Sequence, residues 1–236
     1  MTAREIQNQL RAMANPEAAA FAQRYFKTGP GQYGEGDVFL GLRVPVMRTF
    51  ARHHQTLELD QVQVLLQSAV HEDRLLALLI LVHQAQKTDA VGRRTIYGLY
   101  LASTRFINNW DLVDCSAPAI VGGYLVDRSR RPLDRLAKST SLWERRIGII
   151  ATGHFIRLGD YTDTLRIAAR LLDDPADLIH KATGWMLREI GKRNQPVLES
   201  FLRAHAHVMP RTMLRYAIER FPEAKRKAIL RGEMED

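Results

Sequence analysis

A single cysteine, Cys115, occurs among the 236 residues. No internal disulfide framework is therefore available, and the chain suits a reducing cytosol. Long apolar runs are also missing: the longest, Leu75 to Val82, falls far short of the ~20 residues needed to span a bilayer. No apolar stretch follows a basic one in the opening MTAREIQNQLRAMANPE, so no signal peptide is expected. Alternating apolar and polar stretches bounded by hairpin turns are absent, which argues against a β-sheet fold. His53-His54 and His205-Ala-His207 lack the spacing and companion ligands of a zinc site, so no metal is expected. There is no glycine-rich phosphate-binding motif.

What is present is ordinary for a globular chain, at 46% hydrophobic and 25% charged residues. A fold of this length buries well over half of its unfolded surface, so one domain over residues 1–236 suffices. The charge is not balanced: the formal net charge is +8 and the pI about 9.9. Between Ser141 and Arg231, 17 Lys and Arg stand against 10 Asp and Glu. Such an excess fits a solvated basic face, or a polyanionic partner whose phosphates release counterions on binding.

Helical patterning dominates. Arg4 to Ala14 and Pro16 to Phe26 read as helices, the second with proline in its first turn, where a missing N–H costs nothing. Residues Lys27 to Asp37 (KTGPGQYGEGD) hold four glycines and a proline and read as an exposed loop. A helix resumes near Val44 in FLGLRVPVMRTFARHH. Glu72 to Gln86 is apolar almost all round, as an inner helix is. The chain is expected to be all-α.

Four segments open on polar residues and pass into an apolar helix rich in small residues. They are HEDRLLALLILVH from 71, NNWDLVDCSAPAIVGG from 108, SLWERRIGIIATGHF from 141 and ADLIHKATGWMLREIG from 176, with PRTMLRYAIERF from 210 as a fifth. Starts about 33 to 37 residues apart fall in the range of two-helix solenoid repeats. An irregular bundle with coincidental spacing is the alternative. In the repeat reading the fold is a right-handed α-solenoid of HEAT-like repeats, whose second helices line a concave basic face suited to a long ligand.

The residues most informative about chemistry lie in FINNWDLVDC (106–115). On a helix Trp110 and Asp114 are i and i+4 and project from one face, while Asp111 points elsewhere. An indole beside a carboxylate suits a cationic ligand or a developing cation. A core-packed Trp110 with Asp114 capping or paired to an arginine is the competing arrangement. Arg145-Arg146 and Trp185 fall at matching depths in the next two repeats, and stacking would bring Trp110, Asp114, Arg146 and Trp185 onto one face. Arg146 suits either a phosphate or Asp114. Lys181 and Arg188 flank Trp185 within a turn. Cys115 reads as a buried structural thiol, and Gly122-Gly123 as a close helix contact.

The segments FLGLRVPVMR (39–48), NNWDLVD (108–114), LWERRIGIIAT (142–152), HKATGWMLREIGK (180–192) and MPRTMLRYAIERF (209–221) resemble, in order and spacing, the AlkD family of HEAT-like-repeat DNA glycosylases. The resemblance implies hydrolysis of the N-glycosidic bond of cationic alkylated bases, 3-methyladenine and 7-methylguanine, in duplex DNA. It makes Asp114 the catalytic carboxylate, Trp110 and Trp185 the aromatic pair flanking the lesion's deoxyribose, and Arg146 a contact to the adjacent backbone. Tyr25 matches a family tyrosine near the lesion. Arg145, Lys181, Arg188, Arg211 and Arg215 are the candidate DNA-binding cations. No cofactor is implied, no lysine stands out as a Schiff-base nucleophile, and a monofunctional, monomeric, cytoplasmic enzyme is expected, nucleoid-associated when bound to DNA. A non-enzymatic DNA-binding relative and a helical-repeat scaffold for an acidic protein are the alternatives.

Overall fold

A computed structural model describes residues 1–233. The chain divides into two compact units, Met1–Ile120 and Val121–Asp236. Among the described residues there is no β-strand, only an isolated bridge between Val38 and Val70. No helix among the described residues is long and apolar enough to cross a membrane.

The first unit contains α1 (Ala3–Ala12), α2 (Pro16–Tyr25), α3 (Val44–His53), α4 (Leu59–Leu66), α5 (His71–Lys87), α6 (Ala90–Ala102) and α7 (Trp110–Ala117). Local chemistry sets several boundaries. Thr2 and Glu5 form a capping box at the head of α1, while Asn15 caps α2 with Pro16 at its first position. The centre of the unit is α5, which packs against α3, α4 and α7. Every residue from His71 to Leu81 is buried, as a helix apolar on all sides requires.

Four of those buried residues are charged, and each is spoken for. Glu72 accepts from the backbone N–H groups of Leu40, Gly41 and Leu42 at 2.9, 2.8 and 3.2 Å. Asp73 accepts from Gln7 at 3.1 Å, Arg11 at 3.1 Å and Ser68 at 2.7 Å, tying α1 to the head of α5. His71 and Arg74 both reach Asp37. The loop expected to be exposed is so only in part: Gly34 and Asp37 are buried, because the cations of α5 need a counter-charge where water does not reach.

The segment from 108 does not run on as one helix. Pro118 has no N–H to give to the α-helical ladder, and the backbone widens into a π turn over Pro118–Gly122 before α8 (Gly123–Leu125).

The second unit continues with α9 (Arg131–Ala137), α10 (Leu142–Ile150), α11 (Gly153–Arg157), α12 (Thr162–Arg170), α13 (Asp177–Gly191), α14 (Gln195–His205), α15 (Arg211–Ala217) and α16 (Glu223–Arg231). Here α10 packs on α9 and α13, and α13 packs on α14 and α15. Two glycines permit close approach. A Cβ on Gly184 would stand 2.4 Å from the carbonyl oxygen of Met213, and one on Gly122 2.3 Å from that of Ala151. The expected packing role of Gly122 holds for that reason.

Candidate active site

In the first unit the site is built around the start of α7. Asn109 caps it, its side-chain oxygen accepting from the Trp110 N–H at 2.9 Å. One turn then carries Trp110 and Asp114, both half-buried, on one side of the helix. Tyr25, exposed at the end of α2, meets Trp110 edge-on at 6.1 Å between centroids. Phe26 stacks on the same indole at 5.3 Å and 22°. Of the residues singled out in the sequence, Tyr25 and Trp110 are in ring contact, and Asp114 follows Trp110 one turn along α7.

Asp111 does point elsewhere, and its destination was not foreseen. Its Oδ2 lies 2.8 Å from Nε2 of His71, whose Nδ1 lies 3.1 Å from Oδ2 of Asp37. Both ring nitrogens face carboxylate oxygens, which only accept, so both carry protons. Burial works against the charged ring, but the hydrogen bonds it donates to Asp111 and Asp37 outweigh it and raise the His71 pKa to about 9. Asp37 also takes Nη2 of Arg74 at 2.6 Å. Burial would raise its carboxyl, yet His71 and Arg74 hold it below the usual range. The signal for this cluster was the run His71-Glu-Asp-Arg74 heading a helix otherwise apolar all round: charges there must be paired internally.

Phe39 stacks on the His71 ring at 4.4 Å, and Phe26 lies 5.2 Å from it. A cavity of about 580 Å³ opens beside these rings, lined by Phe21, Phe26, Phe39, His71, Glu72 and Asp111 among others. Cys115 is half-buried, its Sγ donating to the Leu112 carbonyl at 3.4 Å. Burial, then the charges of Asp111 and Asp114, push its thiol well above the ordinary range. The thiolate needed for nucleophilic chemistry is disfavoured.

In the second unit Trp185 sits half-buried on α13, its indole N–H donating to Glu189 at 3.3 Å. Arg146 is buried in α10 and donates to the Leu178 carbonyl at 2.6 Å. Arg145 grips Asp174 through Nε at 2.6 Å and Nη2 at 3.2 Å, and donates to the carbonyls of Ser139 and Thr140. Lys181 pairs with Asp177 at 2.8 Å and Arg188 with Glu219. Arg211 donates to the Leu230 carbonyl at 2.6 Å, and both it and Arg215 are exposed. The expected DNA-binding cations therefore differ in kind. Arg145 is committed to the fold, whereas Arg211 and Arg215 present charge to solvent. No group of three or more His, Cys, Asp or Glu placed to hold a metal ion occurs among the described residues.

No curated protein matches the chain. Among solved structures it is similar to a predicted DNA alkylation repair enzyme from Enterococcus faecalis, with a TM-score of 0.69, covering 89% of this chain and 97% of that one. The identity is 18%, so the likeness speaks for the fold, an all-helical repeat architecture, and not for the reaction. The family model described as DNA alkylation repair enzyme matches residues 6–221, nearly the whole chain, and the protein belongs to that family.

Proposed function

We propose that this protein is a monofunctional DNA glycosylase that hydrolyses the N-glycosidic bond of cationic alkylated purines in duplex DNA. The observation that carries the reading is the first turn of α7. Trp110 and the half-buried Asp114 stand one turn apart on α7, and Tyr25 lies against the half-buried Trp110 indole.

The chemistry needs little more. Ordinary glycoside hydrolysis requires two carboxyl groups, one to protonate the leaving oxygen. A purine alkylated at N3 or N7 is already cationic and leaves neutral, so no general acid is needed. The remaining tasks are to stabilise an oxocarbenium-like sugar and to orient a water, and one ionised carboxylate suits both. In this reading Asp114 serves that role, and Trp110 adds cation–π attraction to the positively charged nucleotide. Asp111 is already committed to His71, and the role is assigned to Asp114 on its place one helical turn from Trp110. Within the second unit, Trp185 and Arg146 are proposed to contact DNA. Lys181, Arg188, Arg211 and Arg215 are proposed to supply sequence-blind phosphate affinity.

The test is direct. Duplex DNA methylated at purines is incubated with the protein, and free base is separated from DNA. Release of 3-methyladenine or 7-methylguanine supports the reading, while tight DNA binding without release contradicts it.

A further inference from the structure

We infer that His71, clamped between Asp37 and Asp111, is the positioning residue that fixes the first turn of α7 and with it the bearing of Trp110 and Asp114. This rests on the glycosylase reading, in which that turn carries the reacting groups.

Two independent routes lead from His71 to Trp110. The first is polar. His71 Nε2 holds Asp111, the residue next to Trp110, at 2.8 Å. Its Nδ1 holds Asp37, which also lies 3.4 Å from the side-chain nitrogen of Asn109, the cap of α7. The second route is through stacked rings: Phe26 packs against both His71 and Trp110, at 5.2 and 5.3 Å. The turn is therefore held from beneath at the cap, at Asp111 and at the indole face.

The clamp needs both ring protons. A neutral imidazole has one donor, so losing a proton leaves one of the two carboxylates facing a lone pair. The charged groups around His71 are few. Asp37 comes from the loop after α2 and Asp111 from α7; Arg74 and Glu72 come from its own helix; Glu17 and Arg43 stand on the wall of the adjoining cavity. Glu72 is occupied by the amides of Leu40 to Leu42 and Arg74 by Asp37. The proton on His71 is thus governed chiefly by the two aspartates, and its loss near pH 9 should release the turn.

The full chain labelled with 5-fluorotryptophan gives three resonances, from Trp110, Trp143 and Trp185, and Trp110→Phe assigns one of them. The Trp110 signal is expected to step with a midpoint near pH 9. The step should vanish in His71→Gln and move to lower pH in Asp111→Asn, which removes a carboxylate at constant shape. At neutral pH, His71→Gln should slow single-turnover release of 3-methyladenine by about tenfold to a hundredfold, the loss expected from ångström-scale misplacement. DNA affinity should stay within about threefold, because phosphate contacts dominate it. A Trp110 signal that does not titrate, or that titrates identically in His71→Gln, overturns the inference; so does wild-type release by that variant. Should His71→Gln fail to fold, Asp111→Asn carries both readouts. Wild-type protein that releases no base defeats the glycosylase reading alone, and the fluorine titration still decides whether His71 holds Trp110.

Discussion

Arg74 donates to Asp37 at 2.6 Å across 37 positions of sequence, with both side chains only 4% exposed. A buried pair of this kind adds little over an apolar substitute, but breaking it strands a charge. Asp37→Ala would leave Arg74 and His71 without their shared acceptor. We expect a loss of about 3–5 kcal/mol in unfolding free energy, read from urea denaturation. Asp37→Asn, which keeps an acceptor oxygen, should cost less.

The same cluster gives stability a pH dependence of definite sign. The folded-state pKa of His71, about 9, lies above the ordinary value of 6.5. Its contribution is therefore complete below pH 6.5 and is lost as pH rises through 9. The loss should be on the order of 3 kcal/mol, since each tenfold change in proton affinity is worth about 1.4 kcal/mol. The depressed Asp37 carboxyl acts in the opposite direction, its contribution being lost as pH falls through its folded-state pKa. Denaturation midpoints across the alkaline range in the wild type and His71→Gln check the first claim: the decline should be confined to the wild type.

Close helix packing in the second unit depends on Gly184. Because a Cβ there would press on the Met213 carbonyl, which is backbone and cannot swing away, Gly184→Ala should destabilise by about 1–3 kcal/mol despite the better helix propensity of alanine. A thermal melt that matches or exceeds the wild type would contradict this dependence.

The cations of the second unit should separate by measurement. Removing exposed Arg215 is expected to leave stability unchanged and, if it meets a phosphate, to lower the slope of log affinity against log salt by about 1. Arg145→Ala should instead act on the fold, costing about 2 kcal/mol by stranding the charged Asp174, whose side chain is 4% exposed.

These contrasts mark what local pattern conveys. The inner helix α5 was legible because apolar residues surround it on all sides, and α7 because Trp110 and Asp114 fall one turn apart in a single segment. Helix geometry alone also turned Asp111 away from that face. Its partner was not legible. His71 lies 40 residues from Asp111 and 34 from Asp37, and no short period encodes such a pairing. Glycine content marked residues 27–37 as a loop but says nothing of burial, so Asp37 passed as part of an exposed segment. Likewise Arg145 reads as a positive charge until Asp174, 29 residues on, is seen to neutralise it.

The central claim is that Asp114 performs the chemistry from the turn that Trp110 shares. Single-turnover release of 3-methyladenine and 7-methylguanine from a methylated duplex, compared between the wild type and Asp114→Asn at matched DNA occupancy, tests it most directly. A drop of about a hundredfold or more is expected in Asp114→Asn, the scale of losing a charge-stabilising group, with DNA affinity retained. Equal release by the two proteins would contradict it.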